Sequence, residues 1–233
     1  MRKLSLAGLV LVLLFCTLGS VQAAGSYWQR MAHGYPNAVV VYPYVYEYRS
    51  PHLEVSARVP QLSGMVDPEW QEQFNEAMVQ TVQELTTMLQ EAAQEALDLE
   101  QIFHAFPFQG IVDFEVKLNR GGLLSLAVVT YTFTGGAHGM TVYEYINVDL
   151  TTGQKLAFTD LFDTEEEVAR AAEVINAKIT QEPDWFFIDQ FTPGLFAADQ
   201  GFYLTDAEVV ICFGLYELAP YAAGIQEFAV SAP

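Results

Sequence analysis

Between residues 130 and 150 the chain alternates apolar and polar side chains twice, on either side of one short turn, Thr134-Gly135-Gly136-Ala137-His138-Gly139. Alternation at period two places one set of side chains on each face of a strand. A glycine-rich turn joining two such runs reads as a hairpin. A chain holding this stretch must build a sheet around it, with the upstream segments covering the hairpin and the downstream ones extending its sheet. Glycines at 135, 136 and 139 permit positive φ or the close approach of another backbone or a ligand. His138 is the titratable side chain of the turn.

Upstream, residues 38–48 are rich in strand formers, and Tyr42, Tyr44, Tyr46 and Tyr48 fall on one face. Such a row is either the half-buried face of a sheet under a helix or a platform for a sugar or protein, since each ring offers apolar area and a polar tip. Pro43 puts this strand at a sheet edge. Residues 53–59 form a second strand. A long helix follows: Asp67 suits the N-cap, Pro68 the first helical position and Glu69 the positive end of the dipole. Trp70, Phe74, Met78, Val82, Leu85, Leu89, Ala92 and Ala96 make one apolar stripe at three- and four-residue steps, with Glu72, Glu76, Glu84, Glu91 and Glu95 around it. Residues 113–118 and 123–133 form a hairpin through Asn119-Arg120-Gly121-Gly122, and Thr151-Thr152-Gly153 turns into a strand over residues 155–158. Thr164 and Glu167 make a capping box ahead of a second striped helix, Val168 to Ile179. Residues 182–199 are an aromatic loop, covering the core or binding a partner. Residues 202–204, 209–213 and 226–230 close the chain as strands. The expected fold is α+β, an antiparallel meander sheet with two helices packed on it.

At 233 residues, 52% hydrophobic and 13% aromatic, the chain can bury a sizeable core. Its 10 basic and 29 acidic residues give a net charge of −19. That balance repels phosphate backbones and excludes nucleic acid as a partner. It favours encounter with a cationic protein, and it also keeps an exported protein soluble. Residues 1–23 read as a signal peptide: Arg2 and Lys3 precede an apolar run over residues 4–18, and Val21-Gln22-Ala23 occupies the cleavage positions. The run falls short of the roughly 20 residues a membrane helix needs. The product is therefore expected to start at Ala24, secreted or extracytoplasmic, with no stable membrane span. Cleavage removes Cys16 and leaves Cys212 without an intrachain partner. Cys212 lies in an apolar run and reads as a small buried hydrophobe.

The chain carries no GxSxG, HExxH, Walker or EF-hand pattern. His33, His52, His104 and His138 form no ligand pair, so neither a metal nor a cofactor is expected. His138 either bridges loop backbone groups or takes part in binding or acid/base chemistry, with Glu144 or Glu217 as its carboxylate. The second unusual segment runs from Tyr216 through Glu217 and Tyr221 to Gly224; if it folds against the glycine turn, the two would line one pocket. The candidate binding residues are Thr134, Gly135, Gly136, His138, Tyr216, Glu217 and Tyr221. No catalytic residue is assigned.

The turn at residues 134–139, followed by Asp149-Leu150-Thr151-Thr152-Gly153-Gln154-Lys155 and Asp160-Leu161-Phe162, resembles the signature of the bacterial DUF3298 domain. Residues 202–205 and 216–224 resemble its C-terminal pattern, although Gly214-Leu215 stands where an Asn-Pro-like pair is common. Val59-Pro60-Gln61-Leu62-Ser63-Gly64, with Phe74-Asn75, resembles the DUF4163 region that usually precedes it. The resemblance implies a DUF4163-like region over residues 24–108 and a DUF3298-like region over 109–233, together one compact unit. It implies an extracytoplasmic domain of the kind found in lysozyme-sensing anti-sigma factors, in some peptidoglycan deacetylases and in a secreted mycobacterial antigen. No catalytic centre carries over from that family. The leading expectation is a secreted, non-catalytic binding domain whose partner is an extracellular protein, cationic and lysozyme-like, or a cell-wall glycan. The alternative is a cell-envelope polysaccharide hydrolase or deacetylase using His138 and Glu217.

Overall fold

Five strands lie side by side in chain order: β1 (Val40–Arg49), β2 (Leu53–Ser63), β3 (Phe108–Arg120), β4 (Leu123–Phe133) and β5 (Met140–Asp149). The computed structural model describes residues 38–99 and 107–231; the expected leader, its cleavage point, the lead-in with His33, and His104 lie outside the described residues. β3, β4 and β5 are the expected meander, antiparallel throughout. Gly121 and Gly122 turn β3 into β4 at φ 65° and 73°, the double positive φ of a type I′ turn, whose twist matches that of the flanking strands. The pairing of β2 with β3 is parallel, Leu53 opposite Phe108. The sheet is thus mixed, because helix α1 (Pro68–Asp98) carries the chain back across it before β3 begins. β1 takes the edge, where the missing N–H of Pro43 leaves no ladder bond unmade.

α1 starts as its sequence indicates. The Asp67 carboxylate accepts from Trp70 N at 2.9 Å, Pro68 opens the first turn and Glu69 lies within it. The buried stripe of Phe74, Met78, Val82, Leu85 and Leu89 lies mainly over β2 and shares one core with Val55, Ala57 and Val59 of β2 and Leu126 and Val128 of β4. Each such side chain contributes about 2 kcal/mol when fully buried, so packing rather than intrinsic propensity holds the helix. Tyr44, Tyr46 and Tyr48 are half-buried against this same core, while Tyr42 is 44% exposed. Three of the four rings therefore belong to the interface between sheet and helix.

The later strands were expected to extend the hairpin's sheet, and they do not. β6 (Phe202–Leu204), β7 (Glu208–Phe213) and β8 (Gln226–Ser231) form a separate three-stranded antiparallel sheet. The outer edge of β5 is already occupied near its end: Leu156 N donates to Asn147 O at 2.8 Å and Asp149 N to Gln154 O at 2.9 Å. That return is a single bridge, Val148 to Lys155, and the strand expected over residues 155–158 is not formed. Helix α2 (Glu165–Gln181) begins with the reciprocal capping box, Glu167 N to Thr164 Oγ1 at 3.2 Å and Thr164 N to Glu167 Oε2 at 3.3 Å. Its Ile175 and Ile179 join Phe158, Phe191, Phe202 and Phe213 in a second core, which reaches Leu118 and Leu123 at the end of the large sheet. The aromatic loop covers the core through Phe191, which is buried, whereas Trp185 and Phe187 are about half exposed.

A buried polar clasp joins the two sheets. Ser125 Oγ donates to Asn147 Oδ1 at 2.7 Å, Asn147 Nδ2 donates to Phe202 O at 2.7 Å, and Leu204 N donates to Ser125 Oγ at 3.0 Å. Ser125 on β4 and Asn147 on β5 are directly opposite in register, and both are fully enclosed. The fold is α+β, with two helices packed on sheets that are mostly antiparallel. Among the described residues no helix is long and apolar enough to cross a membrane.

Candidate functional site

The β4–β5 turn and the segment between β7 and β8 meet at one backbone oxygen. Gly139 O accepts from His138 Nδ1 at 2.9 Å and from the Tyr221 hydroxyl at 3.2 Å. The His138 ring stacks on Tyr221 with centroids 4.0 Å apart, and Tyr216 stands 5.8 Å from Tyr221. A carbonyl only accepts, so Nδ1 carries the proton, and in the neutral ring Nε2 is then an acceptor. The glycines of the turn serve different ends. Gly135 and Gly136 adopt φ 102° and 96°. Gly139 is buried, and a Cβ there would lie 2.5 Å from Thr132 O and overlap the Tyr131 ring.

Of the seven residues singled out from the sequence, His138, Tyr216 and Tyr221 form this ring cluster, and Thr134, Gly135 and Gly136 lie in the turn beside it. Glu217 is turned inward on its own loop: its Oε2 accepts from Gly214 N at 2.8 Å, and its N–H donates to Gly214 O at 3.2 Å. These bonds close a four-residue turn whose third residue, Tyr216, has φ 67°, a position that ordinarily calls for Gly or Asn. Glu144, the other carboxylate considered for His138, sits opposite Val128 on β5 and pairs with Lys155 at 3.8 Å. Burial raises its pKa and Lys155 opposes that rise.

Sequence reasoning passed over a second aromatic group, on the face of the large sheet away from α1. Tyr145 is stacked between Tyr143 and Tyr203 at 5.9 Å from each. Lys117 Nζ lies 4.6 Å above the Tyr203 ring, and the Tyr203 hydroxyl donates to Glu227 at 3.3 Å. The period-two placing of Tyr143 and Tyr145 was the available signal. Cys212 lies beneath this group, buried as expected, its Sγ donating to Val210 O at 3.5 Å. Burial pushes its thiol from the ordinary 9.0 up to about 12, and Glu227 adds to the rise while Tyr145 and Lys117 oppose it. The folded thiol is expected to resist alkylation at mildly alkaline pH and to react fully in denaturant. Because the folded value is the higher one, the unfolded chain releases this proton first. The thiol's contribution to stability is whole below pH 9.0 and falls as the pH climbs towards about 12. Cys212→Ala should flatten that part of the alkaline profile measured by urea unfolding.

A groove of about 1160 Å³ runs along the acidic flank of α1 past Glu72, Glu76, Glu84 and Glu91, and none of the seven candidate residues lines it. No group of His, Cys, Asp or Glu among the described residues is arranged to hold a metal ion.

Residues 159–232, which include Tyr216, Glu217 and Tyr221, match the family model described as a protein of unknown function, DUF3298. The chain resembles the DUF3298 family. Residues 47–141, ending just after the glycine turn, match the model described as Deacetylase PdaC, over much of the stretch expected to be DUF4163-like. A crystal structure of a DUF3298 family member from Bacteroides fragilis is similar at a TM-score of 0.64 and 16% identity, covering 84% of this chain and 92% of that one. A DUF3298 family protein from Pseudomonas aeruginosa is similar at 0.55 and 22% identity, covering 84% and 91%. At these identities the likeness is one of fold. No curated protein matches the chain. The matched domains resemble those of extracytoplasmic or cell-envelope proteins.

Proposed function

We propose that this DUF3298-like chain is a secreted, non-catalytic binding domain that recognises a cell-envelope polymer or an extracellular protein at the corner formed by His138, Tyr216 and Tyr221. The observation that carries this reading is how the titratable groups are held. His138 is stacked on Tyr221 and bonded to Gly139 O, while the Glu217 carboxylate closes its own turn on Gly214. An acid/base pair needs a group within hydrogen-bond reach of the proton to be moved, and here the two side chains have separate structural duties. A net charge of −19 supports a cationic protein, lysozyme-like in charge, among the protein partners.

The match of residues 47–141 to Deacetylase PdaC favours a second reading, an envelope deacetylase or hydrolase using His138 and Glu217; that match includes His138 and stops short of Glu217. One experiment separates the two. The purified protein is incubated with lysozyme and with peptidoglycan at low and high salt, and capture, freed acetate and new reducing ends are measured together. Capture without turnover is expected. Freed acetate or reducing ends, lost in His138→Ala, would replace the binding reading with the enzymatic one.

A further inference from the structure

Tyr216 is the one non-glycine residue with positive φ among the described residues. Left-handed backbone is unfavourable for any residue with a Cβ, and glycine relieves it. Packing offsets only part of this cost at Tyr216, because the residue is 49% exposed and its ring meets only the tilted ring of Tyr221. Strain held at a half-exposed ring points to what that ring meets outside the fold. The turn closed by Gly214 and Glu217 aims Tyr216 beside Tyr221, which His138 backs from 4.0 Å.

We propose that Tyr216, Tyr221 and His138 form a stacking platform for an uncharged polysaccharide. This rests on the non-catalytic binding reading and narrows it to one class of partner. A pyranose ring has an apolar C–H face and a rim of hydroxyls. Tyrosine rings supply the matching apolar area and polar tips, and His138 Nε2 supplies an acceptor. A charge of −19 disfavours anionic polymers, whereas an uncharged chain is indifferent to it. A stable protein partner ordinarily covers about 800 Å² of each surface, far more than three side chains present.

The test is titration calorimetry of the whole protein with chitohexaose and with cellohexaose, both uncharged, at low and high salt. At least one should bind, with an affinity that salt does not change. Tyr216→Gly should weaken it at least ~tenfold while raising Tm by about 2–4 °C through relief of the turn, and Tyr216→Phe should retain it. The rise in Tm is what a merely structural tyrosine would not combine with lost binding. Failure of both sugars to bind, or unchanged binding in Tyr216→Gly, overturns the platform. Capture of lysozyme without either sugar overturns it too, yet leaves the broader binding reading standing. Release of acetate or reducing ends removes both.

Discussion

Asn147→Leu is expected to destabilise the protein by about 3–4 kcal/mol, a loss seen as a fall in Tm of roughly 10 °C. The cost comes from what the substitution strands. Ser125 Oγ loses its acceptor and Phe202 O loses its donor, both inside the joint between the sheets, where water cannot replace them. Each buried polar group left unpaired costs about 1–3 kcal/mol. Ser125→Ala strands Leu204 N and the Asn147 side chain in the same way. Because the two residues share one hydrogen bond, their effects should not add: the double variant should be more stable than the sum of the single losses implies. Urea unfolding of the four proteins measures this directly. Single variants within a few tenths of a kcal/mol of the parent, or strictly additive losses, would show that the sheets are held together by the phenylalanine core alone.

The same residues show why some of this fold can be read from the chain and some cannot. The start of α1 was legible to the residue, because its signals are local: Asp67, Pro68 and the stripe from Phe74 to Leu89 act within one or two turns. The capping box at Thr164 was legible for the same reason. Apart from residues 155–158, where only a single bridge forms, strand existence was legible from the sequence, but strand partners were not. Nothing near Leu53 or Phe108 encodes that they pair in parallel, and the split into two sheets depends on how residues 150–156 fold back on β5. Asn147 had a faint signal, an amide amid apolar strand formers, with no indication that its partner was the backbone of a strand some fifty residues on. At the site, the meeting of the glycine turn with Tyr221 was visible as a possibility in composition alone. The left-handed turn at Tyr216 was not, since Leu215 and Tyr216 carry none of the usual marks of positive φ.

Gly139→Ala is expected to cost about 3 kcal/mol and to dismantle the ring cluster along with it. The sequence presents glycines 135, 136 and 139 as equivalents; the structure separates them. At Gly135 and Gly136 the space around a Cβ is open and the demand is on φ. At Gly139 the demand is on space, because the new Cβ would meet the Thr132 carbonyl at 2.5 Å and the Tyr131 ring. A backbone oxygen cannot swing aside as a side chain can, so relief requires opening the hairpin where Thr132 pairs with Met140. That movement displaces Gly139 O, to which both His138 and Tyr221 are bonded. Near-UV circular dichroism of the tyrosines and any binding that depends on His138 should therefore change together with stability. Gly136→Ala, strained in φ but unobstructed, should lower stability by about 1 kcal/mol and leave Gly139 O in place. If the two alanine variants behaved alike by unfolding and by dichroism, the close approach at Gly139 would not be what organises this corner.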